Sequence, residues 1–302
     1  MDDVAQPPVP SVMLAFEDSA EEGSEDLMHK TFHFPQVMPE VVGKALAHVT
    51  SMAIGGDDSS THLPLKKDPT KSVQLENNKL VEEWFQRGHI SEQTENWLKG
   101  RNSSTPRMHA LPKIHKKEMA FRPIVVKDSF EFSEYIRDVE IPDGYKLISL
   151  HVSALFTKVP LPLVKRGLRR REETMDLKMP IDDLIGAVQF VMESTSFSAG
   201  NEYWKQVHGL PMAFPLAPTL AEVVMQDLEF TCLGELSFSI PFYKRYVDDI
   251  ITAVPEDKVQ EVVDIFNRQH ERLKFTREME VDGKIPFLNV LLIRQGNQIR
   301  TD

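Results

Sequence analysis

Cysteine is almost absent: Cys232 is the only one in 302 residues. An internal disulfide and any cysteine-based zinc cluster are therefore excluded, which points to an intracellular protein. No apolar run is long enough to cross a bilayer, so a membrane is not expected among its partners. The acidic N-terminus lacks the basic-then-apolar layout of a secretory signal. Nothing distinguishes a nuclear from a cytoplasmic location. Positive charge is short as well. The net charge of −11 argues, taken over the whole chain, against nucleic acid as a partner. The shortage is local, however. Residues 1–30 hold eight acidic groups against Lys30 alone, a net of −7, while the remainder carries 38 acids and 34 bases.

What is present is the composition of a soluble globular protein, 41% hydrophobic and 27% charged, with chain enough for a sizeable core. Residues 1–65 form an acidic extension, weakly ordered, in which QPPVPS, DSAEEGSED and IGGDDSSTH offer little to a core. It reads as a solvated extension or a regulatory tail. Leu80, Trp84 and Phe85 recur at helical spacing ahead of Gly88, and Ser91 is placed to cap a second short helix. Residues 101–126 are basic, with Arg101, Arg107, Lys113, Lys116, Lys117 and Arg122 against Glu118 alone. Three prolines there forbid a long helix and leave two short strands around a basic turn.

YKLISLHVSALF, from Tyr145, has the β-rich pattern of a central strand. A cationic helix follows, with Lys165, Arg166, Arg169, Arg170 and Arg171 either tracking phosphates or facing solvent. An apolar helix begins after Pro180, a hairpin turns at Gly200 and Asn201, and TLAEVVMQDLEF is a helix burying Leu220, Val223, Val224 and Leu228. Trp84, Trp97 and Trp204 are expected to be packing residues. Near the end, FTREMEV-DG-KIPFLNVLLIR reads as one hairpin on an Asp-Gly turn, and QGN turns into a last strand. Strands and helices mix without a strict βαβ repeat, so the fold class is α+β.

FYKRYVDDIITAV reads as strand, tight turn, strand, with Asp248 and Asp249 lifted out of the core at the tip. Two carboxylates this close repel, and a divalent cation would relieve the repulsion. An exposed Asp-rich turn is the plainer reading of the same residues.

Taken in order, PRMHALPKIHK, FRPIV, SLHVSALFTKVPL, QVHGLPMAFPLAPTLAEVVMQDLE, FYKRYVDDIITAV and FTREMEVDGKIPFLNVLLIR resemble the blocks of reverse transcriptases, most closely those of Penelope-like and related non-viral retroelements. The resemblance covers residues from about 70 to 302. It implies a right-hand polymerase fold: a fingers-like region over 66–144 with the basic hairpin, and a ferredoxin-like antiparallel palm over 145–302. The palm carries an inserted helix and hairpin at 160–206 and a truncated start of the thumb connection, the thumb being largely missing. It implies template-directed DNA synthesis from dNTPs on an RNA or DNA template-primer, with Mg²⁺, or Mn²⁺ in its place, as cofactor. Asp248 would be the metal ligand of the turn, Asp249 its assisting neighbour, and Tyr246 would approach the primer end. Arg122, Lys113 and Lys116 would grip the triphosphate. The Phe156 ring would lie under the sugar, and Gln206 and Gly209 near the nucleotide pocket.

The chain departs from that pattern in several places. His151 stands where the second catalytic aspartate belongs. Imidazole is a poor Mg²⁺ ligand and supplies no negative charge. His151 is thus a lost catalytic residue, or else a novel ligand or base. Ala213 and Phe214 replace a Gly-Ser pair that leaves the backbone free to approach nucleotide. The join at 125–128 is short, and a supporting piece of fingers and palm is expected to be missing there. The expected function is a reverse transcriptase domain with impaired two-metal catalysis. The alternative is a non-catalytic nucleic-acid-binding remnant.

Overall fold

The computed structural model describes residues 62–100, 129–175, 177, 179–199, 201–211 and 216–302. The predicted basic turn at 101–126, the join at 125–128 and the N-terminal extension up to residue 61 lie outside the described residues. In chain order the elements begin with β1 (His62–Leu65), α1 (Thr70–Gln86), α2 (Glu92–Leu98), α3 (Ser129–Arg137), β2 (Tyr145–Val152), α4 (Leu155–Lys158), α5 (Leu161–Arg170) and α6 (Ile181–Ser194). They continue with β3 (Ser196–Ala199), β4 (Glu202–Gln206), α7 (Ala217–Gly234), β5 (Tyr243–Tyr246), β6 (Asp249–Pro255), α8 (Val259–Arg268), β7 (Phe275–Met279), β8 (Lys284–Phe287), β9 (Val290–Gln295) and β10 (Gln298–Thr301).

Four strands form the central sheet in the order β5-β6-β2-β7, each pair antiparallel. With α7 before β5 and α8 between β6 and β7, the chain runs βαββαβ, the ferredoxin-like arrangement. The central place of β2 is as the sequence predicts, although the strand stops at Val152 and the chain turns through Ala154 (φ 53°) into α4. Elements α4–α6 and the β3–β4 hairpin are inserted between β2 and α7.

The two faces of this sheet differ. Residues paired across a ladder share a face. Ile148, Leu150, Val152, Ile250, Thr252, Val254 and Phe275 fall on one face and all are buried. That face carries α7 and α8: Tyr243 bonds Glu229 of α7, and the Phe275 ring meets Phe266 of α8 edge-on at 5.1 Å. Cys232 of α7 lies in the same layer with no exposure, and burial pushes its thiol pKa up. It is a core residue.

On the opposite face Leu147, Ile251 and Ala253 pack with Phe132 and Ile136 of α3 and with Ile285, Phe287, Leu292 and Ile299. Those last four belong to a second antiparallel sheet, β8-β9-β10. The cover does not reach the far end of the face. There Ser149 is half-buried while His151, Thr276 and Glu278 are exposed. Among the described residues the sheet therefore has a helix-covered face, exposed only at its β7 edge around Arg277, and a half-open one, and the open end is where β2 leaves and the β5–β6 turn closes.

Several predictions need correcting. The apolar stripe of α1 is Val81 and Trp84 with Asn77, and Phe85 is 38% exposed. Of the tryptophans expected to pack, Trp84 is buried, Trp204 is half-buried and Trp97 is 47% exposed. The Asp282-Gly283 turn forms, with both residues at positive φ, but it closes a single bridge, Val281 to Lys284. β7 then pairs with β2, whereas β8 turns again at Leu288-Asn289 to pair with β9. The single hairpin of the sequence reading is thus two turns shared between two sheets. The last residues of the expected N-terminal extension also have structure, since β1 pairs antiparallel with β4. Other expectations hold: Ser91 Oγ accepts from Thr94 N at 3.2 Å, and Leu220, Val223, Val224 and Leu228 are all buried. Among the described residues no helix is long and apolar enough to cross a membrane.

Candidate metal centre

His151 and Asp249 are ladder partners on β2 and β6, so backbone pairing alone sets them side by side on the half-open face. His151 Nδ1 lies 2.7 Å from Asp249 Oδ1 and 4.0 Å from Asp248 Oδ2. A carboxylate only accepts, so Nδ1 donates to Asp249. The imidazole is thereby oriented by the carboxylate. One donor atom from each of the three side chains falls within 4.8 Å of the others. The three side chains are 47, 37 and 40% exposed for His151, Asp248 and Asp249, so the cluster is open to an incoming ion.

The turn between β5 and β6 is strained. Val247 has φ 55°, an uncommon conformation for a β-branched residue. Such strain costs about 1–3 kcal/mol and persists where surroundings over-determine it. Two contacts do so here. Val152 N donates to Asp248 O at 2.8 Å, and Arg245 Nη1 donates to Val247 O at 3.2 Å. Arg245 is itself held on the covered face by α7, with Nη2 2.6 Å from Glu222 Oε1 and Nε 2.5 Å from Glu229 Oε1. Burial opposes the Arg245 charge, but Glu229 and Glu222 more than offset it and hold its pKa above the usual arginine value. The sequence reading missed this brace. Its signal is the seven-residue spacing of Glu222 and Glu229, two helical turns on one face of α7.

Of the predicted site residues, the structure brings together His151, Asp248, Asp249 and Tyr246. Tyr246 is the cross-strand partner of Asp249 and packs against the core under the half-open face. Both aspartates stand beside His151, and Asp249 makes the direct contact with it. A second group gathers around α4. Leu210 N donates to Phe156 O at 2.6 Å, and Gln206 Nε2 donates to His208 O and Leu210 O at 2.7 and 3.1 Å. Gln206 is 2% exposed, and its amide holds the loop that follows β4. Gly209 has φ 82°, and a Cβ there would lie 2.4 Å from the Thr157 carbonyl. Its requirement is backbone approach to α4. Lys113, Lys116, Arg122, Ala213 and Phe214 lie outside the described residues.

The cations of α5, and Arg171 just after it, are engaged with neighbouring side chains, although Arg169 and Arg170 stay exposed. Arg166 and Arg170 both clamp Asp227 of α7, which is 3% exposed, at 2.7 and 2.6 Å. Lys165 reaches Gln189, Arg169 reaches Asp182 and Arg171 reaches Gln226. The helix is tied to its neighbours by its charges.

No protein-family model matches the chain, and no curated protein matches it. Solved structures do. One is telomerase from Candida albicans in complex with a TWJ fragment of telomeric RNA, at 13% identity and TM-score 0.48, covering 59% of this chain and 34% of that one. Another is apo telomerase from Candida tropicalis, at 11% identity and TM-score 0.45, covering 88% and 40%. A third is the Sicinivirus 3Dpol RNA-dependent RNA polymerase, at 15% identity and TM-score 0.40, covering 57% and 38%. The chain thus spans between a third and two-fifths of the length of these proteins. Likeness at this level decides nothing about the fold, which rests on the strand order given above.

Proposed function

We propose that residues 145–302 are a palm of the reverse-transcriptase type that binds a template-primer and whose Mg²⁺-dependent nucleotidyl transfer is impaired. One observation carries the reading: the βαββαβ sheet sets residue 151 of its central strand against the paired aspartates of the β5–β6 turn, on the half-open face. The ordered sequence blocks support it, since SLHV and YVDD are the two segments that the resemblance assigns to the metal site, and they meet. The strained, doubly braced turn supports it further, because backbone strain concentrates at functional sites.

The same site argues against efficient polymerisation. Two Mg²⁺ ions held for nucleotidyl transfer require hard oxygen donors from both strands in octahedral geometry. Here β2 supplies a nitrogen, and Asp249, one of the two remaining carboxylates, is bonded to it. The residues present do not fit a pair of Mg²⁺ ions. Losing a bridging carboxylate at such a centre costs roughly 10³-fold in rate. What this chain's own groups can still do is hold an open, polar sheet end beside Tyr246, with a carboxylate-oriented imidazole on it.

Binding is the retained half of the function, and it is measured by fluorescence anisotropy of a labelled template-primer duplex against the full chain. The reading predicts affinity that falls steeply as salt rises, as phosphate contacts do, and that survives Asp248→Asn. No binding at low salt contradicts it.

A further inference from the structure

We infer that His151, Asp248 and Asp249 bind a single divalent transition-metal ion, zinc foremost, in preference to magnesium. The inference rests on the palm-type reading for the standing of this sheet end as a working site. Its donor chemistry is independent of any polymerase activity.

The donor set is one imidazole nitrogen and two carboxylates. Donors bound to one zinc ion at about 2.0–2.2 Å stand about 3.4 Å apart in tetrahedral geometry. The observed separations from His151 Nδ1, 2.7 Å to Asp249 and 4.0 Å to Asp248, straddle that distance. Small rotations of half-exposed side chains bring all three onto one ion, with the imidazole in the tautomer that carries its proton on Nε2, so that the Nδ1 lone pair faces the metal and the ring stays neutral. The backbone underneath is already fixed by the β2–β6 ladder, by the Val152 N to Asp248 O bond and by the Arg245 clamp on Val247 O. Two carboxylates balance the charge of one divalent ion.

Three protein donors with a further position open is the arrangement of zinc sites that keep a water or admit a ligand. Magnesium prefers an all-oxygen octahedron and gains nothing from the imidazole. Affinity should therefore follow the transition series, with Zn²⁺ above Co²⁺, Co²⁺ above Mn²⁺, and Mg²⁺ last. A replaced carboxylate thus becomes a change of metal rather than a vacancy.

The experiment is isothermal titration calorimetry of the full chain with ZnCl₂, MnCl₂ and MgCl₂ in turn, each variant first checked by circular dichroism for a wild-type melt. The expected result is one zinc equivalent that is lost or at least tenfold weaker in His151→Ala and in Asp249→Asn, with Mg²⁺ about 100-fold weaker than Zn²⁺ in the unaltered protein. His151→Asp should narrow or reverse that preference. Zinc binding that ignores His151→Ala overturns the inference, as does Mg²⁺ binding as tight as Zn²⁺. If zinc selectivity fails while the template-primer still binds, this inference falls and the palm-type reading stands. If zinc binds through these three residues while no template-primer does, the metal site stands and the palm-type reading falls.

Discussion

His151 and Asp249 face one another across the β2–β6 ladder, 2.7 Å apart, at an end of the central sheet that no helix or second sheet covers among the described residues. Everything proposed for this protein follows from that pairing. A one-residue slip of β6 would carry Asp249 to the helix-covered face and leave His151 without it.

The register is defended by the brace behind the turn. Arg245→Ala leaves Glu222 and Glu229 without the guanidinium between them, with Glu229 only 9% exposed. Breaking a buried pair on one side costs about 3–5 kcal/mol. Urea unfolding should show a loss of that size, and Arg245→Ala combined with Glu229→Leu should recover part of it. A single-variant loss under about 1 kcal/mol would mean that the cluster does not hold the turn.

Val247 stores strain at the tip. Asn tolerates positive φ far better than a β-branched residue. Val247→Asn is expected to raise stability by about 1 kcal/mol in the same unfolding experiment. A marked destabilisation would show that the Val side chain is worth more to the turn than its backbone costs.

Gly209 separates a packing role from a substrate-contacting one. The added methyl of Gly209→Ala meets the Thr157 backbone at 2.4 Å and sits at φ 82°. Stability should fall by about 2 kcal/mol or more whether or not nucleotide is present. Wild-type stability with weakened nucleotide binding would instead restore Gly209 to the nucleotide pocket.

Much of this was legible in the sequence, for identifiable reasons. The apolar positions of α7 repeat at helical spacing, Asp282-Gly283 can only turn, and β-rich flanks around Val247-Asp248-Asp249 leave a tight hairpin as the one consistent reading. What was not legible depends on partners far along the chain. Which aspartate meets His151 is set by ladder register, which neither strand encodes alone. The β8–β9 turn at Leu288-Asn289 carries no glycine, and the proline of KIPFLNVLLIR, Pro286, lies within β8 and not in the turn, so the local signal is only Asn289. The contacts of Gln206 with the carbonyls of His208 and Leu210, and of Gly209 with Thr157 of α4, arise from chain packing that no local pattern announces.

The central claim is that histidine at position 151 withholds a carboxylate from a polymerase-type centre. Primer extension with Mg²⁺, comparing the unaltered chain with His151→Asp at equal template-primer occupancy, tests it most directly. The account predicts extension near background for the unaltered chain and a gain of roughly 10²–10³-fold for the variant. Equal rates for the two proteins, at whatever level, would contradict it.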